Sequence, residues 1–278
     1  MKVGLSACSS GHMPEWQDSI TELEETLNKM GVQAKRAPHI LRTIDEYSGT
    51  DEERAQDLMD FYRDGEISAI YDISGGDLAN GVLRFLDFDL IAGSDKTFWG
   101  YSDLTTVINA IYTMTGKSSV LYQIKNIIWS EAQMQQKRFE DYVNGRNKDL
   151  FDIKYNFLQG KSMEVTIVGG NIRCFCKLAG TKYWPDMKGK ILLLESLNGG
   201  SGQIGTLLNQ LDDIGVFKQV SGVLLGTFTG YEKAELEMSV FDLLKMHITE
   251  DLTVAATKEI GHGHDSTAII IGEKYTFN

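Results

Sequence analysis

Short runs of consecutive apolar residues alternate, in the first half of the chain, with longer stretches whose apolar residues recur every three or four positions. The runs read as buried strands and the periodic stretches as helices with one buried face. "KVGLSAC" opens the series as a strand. A helix follows in which Ile20, Leu23, Leu27 and Met30 share a face, with Asp18 or Ser19 able to cap its start and Gly31 to end it. "TDEERAQDLMDFYRDG" predicts a second helix stopped by Gly65, and "ISAIYDISGG" a buried strand that runs into a glycine pair. After "GVLRFLDFDLI" come the short strand "TFWGY" and a helix starting behind Ser102, along which Leu104, Val107, Ile108, Ile111 and Met114 keep helical spacing. Strands this apolar, in βαβα order, predict a parallel sheet covered on both faces.

The pattern changes near Trp129. From there to about residue 155 the chain is polar and helix-prone ("EAQMQQKRFEDYVNGRNKD"). Strand-rich sequence returns in "MEVTIVGGNIRCFCKLAGTKYW" and "GKILLLES", followed by a helix in "IGTLLNQLDDIG". Three further strands are expected in "VSGVLLGTF", "LTVAATKEI" and "STAIIIGEKYTFN". The expected architecture is α/β: a parallel-sheet N-terminal domain over 1–128, a helical connection over 129–155 and a smaller, mainly β domain over 156–278.

Composition narrows the function. With 42% apolar and 24% charged residues the chain is ordinary for a soluble globular protein. A net charge of −12 without a basic stripe argues against nucleic acid as a partner, because phosphate binding needs clustered Lys and Arg. No apolar run approaches a membrane span, and "MKVGLSACSSGHMPEW" lacks the apolar core of a signal peptide, so a cytoplasmic protein without a membrane partner is expected. Cys8, Cys174 and Cys176 are odd in number, and the last two stand two apart on what reads as one strand. They suggest buried thiols rather than a disulfide framework or a zinc site.

Five segments can carry chemistry, and each has a plain structural alternative. Ser102 lies between a strand and a helix; its spacing alone reads first as an N-cap, and the same position suits a nucleophile beside free backbone N–H groups. The hydrolase elbow G-x-S-x-G is only half present, since Leu104 replaces the second glycine. Glu195 stands at the carboxyl end of the buried strand "KILLLE", where open α/β folds place their sites, or is simply a solvated strand end. His262 and His264 lie in a glycine-rich turn, "EIGHGHDSTAIIIG"; H-x-H without a third ligand makes a poor metal site. Gly75 and Gly76 can turn the chain or expose N–H groups to a developing negative charge. Gly200, Gly202 and Gly205 spell G-x-G-x-x-G, but no acid for a ribose ends the next strand, which argues against a dinucleotide.

Taken together, the segments resemble the LD-carboxypeptidase family of serine peptidases, which includes muramoyltetrapeptide carboxypeptidases and microcin C immunity peptidases. The matching stretches run in family order: "AIYDISGGDLANGVLRFLDFDLI", "KTFWGYSDLTTVINAIYTMTG", "VGGNIRCFCKLAGTKYWPDMKGKILLLES", "LLNQLDDIGVFKQVSGVLLGTF" and "EIGHGHDSTAIIIG". The resemblance implies Ser102 as nucleophile, Glu195 as the acid of a triad and His262 as general base. It implies an oxyanion hole from the N–H of Asp103 and of a glycine of the 75–76 pair, best Gly76, with Gly75 close to the substrate. It also implies a homodimer that needs neither metal nor other cofactor. Arg84 is a candidate for the substrate's carboxylate. The expected activity is release of terminal D-Ala from muropeptide tetrapeptides; the same triad acting on a peptidyl or aminoacyl nucleotide, or a non-catalytic binding protein, are the alternatives. Two stretches depart from the family pattern: "SACSSG", where a Ser-Pro-Ser type turn is usual, and "SSVLYQIKNIIW", where an aromatic-Gly-Pro segment is common.

Overall fold

The computed structural model describes residues 1–278. Strands β1 (Lys2–Ser6), β2 (Gln33–Arg36), β3 (Ala69–Asp72), β4 (Thr97–Gly100) and β5 (Ser119–Leu121) build the first sheet. Strands β6 (Asn156–Gln159), β7 (Met163–Asn171), β8 (Ile191–Ser196), β9 (Gly222–Phe228) and β10 (Thr253–Ala256) belong to the second. The last two, β11 (Ile269–Ile271) and β12 (Lys274–Phe277), part company: β11 joins the first sheet and β12 the second. The helices are α1 (Gln17–Lys29), α2 (Asp51–Arg63), α3 (Ala79–Val82), α4 (Phe88–Ala92), α5 (Thr105–Thr115), α6 (Ala132–Val143), α7 (Ile172–Cys176), α8 (Ser201–Asp213), α9 (Thr229–Lys233) and α10 (Val240–Lys245).

The first sheet has the order β11-β5-β4-β3-β1-β2, parallel throughout except for β11. The second, β12-β7-β8-β9-β10-β6, is parallel in its four central strands and antiparallel at both edges. The α/β class and its division into two sheets agree with the sequence reading. Residues of β1, β3, β4 and β8 are almost all buried, as their apolar runs require.

Several local expectations need correction. Helix α1 continues from a 3₁₀ turn at Pro14–Trp16, so Asp18 and Ser19 lie inside its first turn and cap nothing; the Ser19 hydroxyl donates to Trp16 O instead. Cys174 and Cys176 sit on helix α7, because Asn171 ends β7 and its side chain accepts from the Cys174 N–H, starting a turn. All three cysteines are buried and unpaired. "STAIIIGEKYTFN" is two strands, broken where Gly272 takes φ 93°.

Helix α5 ties the sheets together. Asn109 donates to Gly169 O at 2.9 Å and accepts from Gly169 N–H at 2.9 Å, while the Thr105 hydroxyl accepts from Asn171 N–H at 3.0 Å. All of these side chains are fully buried. A buried backbone pair left without such partners would lose the full desolvation cost, so the amide of Asn109 fixes α5 against β7.

Candidate active site

The carboxyl ends of the strands bring three distant residues together. Ser102 follows β4, Glu195 lies near the end of β8, and His262 lies in the loop between β10 and β11. The Ser102 Oγ is 3.1 Å from His262 Nε2, and His262 Nδ1 is 2.8 Å from Glu195 Oε2. Glu195 is fully buried and His262 nearly so. With Glu195 accepting from Nδ1–H, Nε2 is left as the acceptor for the Ser102 hydroxyl. Such a relay can withdraw the hydroxyl proton as the oxygen attacks an electrophile.

Ser102 does not cap its helix. It has φ 56°, and the turn Ser102–Leu104 begins without any side-chain cap. That conformation is costly for a residue with a Cβ, and it aims the hydroxyl at His262 rather than back at the helix. The N–H groups of Asp103 and Gly76 donate to no group of the chain. Gly76 takes φ 120°, and a Cβ there would stand 2.1 Å from Ser10 Oγ. Only glycine fits this turn.

The carboxylate of Asp103 holds the surrounding loops. It accepts from Ser9 Oγ at 2.6 Å, from Ala79 N–H at 2.8 Å and from Lys177 Nζ at 2.6 Å. Burial opposes the Lys177 charge, yet Asp103 and its neighbours outweigh it and hold the ammonium above the ordinary lysine value. The "SACSSG" segment thus works through Ser9. It is itself anchored by Arg54, fully buried, which donates to Cys8 O and Ser9 O.

Gly261 has an ordinary φ; its need is space, because a Cβ there would lie 1.7 Å from Thr227 Oγ1 on β9. The close approach seats His262 beside Glu195, and the Tyr101 ring packs edge-on against the imidazole with centroids 5.0 Å apart. The Tyr101 phenol and Glu195 Oε1 are buried without a hydrogen bond. Burial, and then the Glu195 charge, push that phenol well above the tyrosine range. His264 faces elsewhere, its ring tilted against Trp129 and its Nδ1 2.8 Å from Ser130 Oγ. No cluster of three or more His, Cys, Asp or Glu side chains is arranged to hold a metal.

A cleft of 860 Å³ opens over Ser102, bounded by Gly76, Asn171, Arg173, Asn198, Gln203 and neighbouring residues. The G-x-G-x-x-G residues form no loop: Gly200 is the N-cap of α8, Gly202 and Gly205 lie within that helix, and Gly202 lines this wall. Gly75 lies outside the cleft, in an adjoining recess. Arg84 is also outside: it is exposed, with its guanidinium 4.0 Å from Asp51 and over the Phe85 ring. The cation that lines the cleft is Arg173, half-exposed on α7 and paired with Asp77. Sequence reasoning missed it because "NIRCFC" reads as strand; the glycine pair before Asn171 was the available sign of a strand end.

Models of the LD-carboxypeptidase N-terminal and C-terminal domains match residues 3–122 and 164–277. The chain belongs to the LD-carboxypeptidase family. Its relatives include a probable murein peptide carboxypeptidase of Bacillus subtilis, 28% identical over 91% of this chain and 82% of the relative. The microcin C7 self-immunity protein MccF of Escherichia coli is 25% identical over 82% of this chain and 76% of MccF. Among solved structures, MccF in complex with glutamyl sulfamoyl guanosine superposes with a TM-score of 0.88 at 20% identity, covering 99% of this chain and 92% of the other. Muramoyltetrapeptide carboxypeptidase from Oxalobacter formigenes superposes at 0.82, also at 20% identity, covering 99% and 94%. These superpositions share the two-sheet fold described above. No helix is long and apolar enough to cross a membrane.

Proposed function

We propose that this member of the carboxypeptidase family is a serine-type LD-carboxypeptidase that releases terminal D-Ala from muropeptide tetrapeptides inside the cell. The observation that carries the reading is the hydrogen-bonded series Ser102, His262 and Glu195, with the free N–H groups of Gly76 and Asp103 beside it. Ser102 Oγ attacks the carbonyl carbon before D-Ala while His262 takes its proton. The resulting oxyanion rests on the N–H groups of Gly76 and Asp103. His262 then protonates the departing amine as the C–N bond breaks. Water, deprotonated by His262, attacks the acyl ester and restores Ser102. Glu195 holds the imidazole tautomer and balances the imidazolium. The substrate's terminal carboxylate meets Arg173, which shares its charge with Asp77.

The test is incubation with muropeptide tripeptide, tetrapeptide and pentapeptide, with the released amino acid identified by mass and chirality. D-Ala is expected from the tetrapeptide alone; an intact tetrapeptide would overturn the proposal. The cleft volume also fits a nucleotide-sized group, within the range usual for small-molecule sites. An aminoacyl sulfamoyl adenosine in the same assay therefore separates the second reading from the first.

A further inference from the structure

In a chain with a net charge of −12, one small recess collects cations without carboxylate partners. It has a volume of 120 Å³ and lies against Gly75, on the peptide next to Gly76. Ser10, His12, Arg42, Ser74 and Lys125 line it. Lys125 stands on the 3₁₀ turn Ile124–Ile128 that follows β5. Its ammonium donates to no group of the chain and lies 5.3 Å from the centroid of the Trp129 ring. The Arg42 Nε donates to Gly11 O at 2.7 Å, and the rest of its guanidinium has no acidic partner.

The acids nearby are already engaged. Asp72 is buried and accepts from Cys8 N–H, Ser6 Oγ and Ser74 N–H, and Glu46 accepts from Ser10 Oγ. Burial lowers the Lys125 ammonium to about 8, with Asp72 pulling weakly the other way. Burial also lowers His12, helped by the charges of Lys125 and Arg42. A partly buried ammonium without a hydrogen-bonded counter-charge is unfavourable unless an anion visits it.

The recess also adjoins the reactive centre. Trp129, on which Lys125 rests, lines a second small cavity together with Ser102 and His262. Lys125 and Trp129 fall between the segments matched by the two family-domain models, 3–122 and 164–277. The two stretches that leave the family pattern, "SACSSG" with its following His12 and "SSVLYQIKNIIW", meet here.

We propose that the recess binds a carboxylate or phosphate carried by the acyl portion of the substrate, with Lys125 and Arg42 as its charge partners. The identity of the molecule rests on the hydrolase reading above; the anion site itself does not. A departing D-Ala has one carboxylate, already assigned to Arg173, so a second anion must belong to the acyl side.

Two tetrapeptides test this, identical except that an upstream carboxylate is an amide in one. Wild-type kcat/KM is expected to favour the acid by about tenfold to a hundredfold, as charged hydrogen bonds warrant. Lys125→Met or Arg42→Met should bring that ratio close to one, and Lys125→Arg should keep most of it, which separates lost charge from misfolding. A ratio near one in wild type, or one that survives in Lys125→Met, overturns the site. Should neither peptide be cleaved, the hydrolase reading fails, and titration with inorganic phosphate followed by tryptophan fluorescence decides. Saturable binding in wild type that is absent in Lys125→Met supports the site; no binding, or equal binding, overturns it.

Discussion

Ser102 is held at φ 56°, in a region that costs a residue with a Cβ roughly 1–2 kcal/mol. Ser102→Gly is therefore expected to be more stable than Ser102→Ala by about 1 kcal/mol in urea denaturation, although both lose the hydroxyl. In the tetrapeptide assay, Ser102→Ala and His262→Ala should each lower kcat by at least about a thousandfold. Lys125 gives a second test of a single side chain. Its folded value of about 8 stands against an ordinary 10.5, with Asp72, Arg42 and His12 as the charges that share its surroundings. Below pH 8 both folded and unfolded chains hold the proton, and the folded state carries the whole penalty. Between pH 8 and 10.5 the unfolded chain binds more protons, so folded stability rises with pH. Lys125→Met should accordingly be more stable than wild type at pH 7 by on the order of 2–3 kcal/mol, with the difference shrinking toward pH 10.5. Urea midpoints at the two pH values check it. At this scale the sequence was readable only in combination: Ser102 alone looked like a cap, because its partner His262 stands 160 positions away. Arg173 was missed because a five-residue helix leaves too short a period to tell from a strand, and only the glycine pair before Asn171 marked where the strand ends.

The elements that were easiest to anticipate are those whose burial is uniform. The segments "ISAIYDISGG" and "GKILLLES" contain β3 and β8 because every residue of those strands is buried, and α2 follows its pattern from the capping box of Thr50 and Glu53 onward. The strands that passed unnoticed, β2 and β6, are polar edge strands of four residues with alternating exposure. Both are only four residues long; β2 carries Lys35 and Arg36, which discourage further pairing at its edge, and β6 sets two apolar residues between Asn156 and Gln159, so neither carries much apolar signal. Helix α5 offers the sharpest test of an element. Asn109→Ala leaves both polar groups of the Gly169 backbone buried and unpaired, and should cost about 3 kcal/mol of stability in urea. A larger relative loss of kcat than of KM is expected, because the same helix begins at the turn that carries Ser102.

For the molecule as a whole, the strand exchange near the carboxyl end matters most. β11 pairs with β5 while β12, two residues later, pairs with β7, so neither sheet is complete without the last part of the chain. Ala268 and the aromatic cluster around Trp99 share one core. Unfolding in urea is expected as one cooperative transition, with tryptophan fluorescence and far-UV circular dichroism giving the same midpoint; two separate midpoints would contradict it. Nothing in "STAIIIGEKYTFN" announced the exchange, since a single glycine between two apolar runs fits one bent strand as well as two. The order of synthesis makes this arrangement consequential. β5 must wait with an unpaired edge while some 150 further residues are made. Under the mechanism proposed above, a nascent chain made only from residue 1 to residue 261 holds Ser102 and Glu195 but lacks His262, and is expected to cleave nothing until that loop emerges.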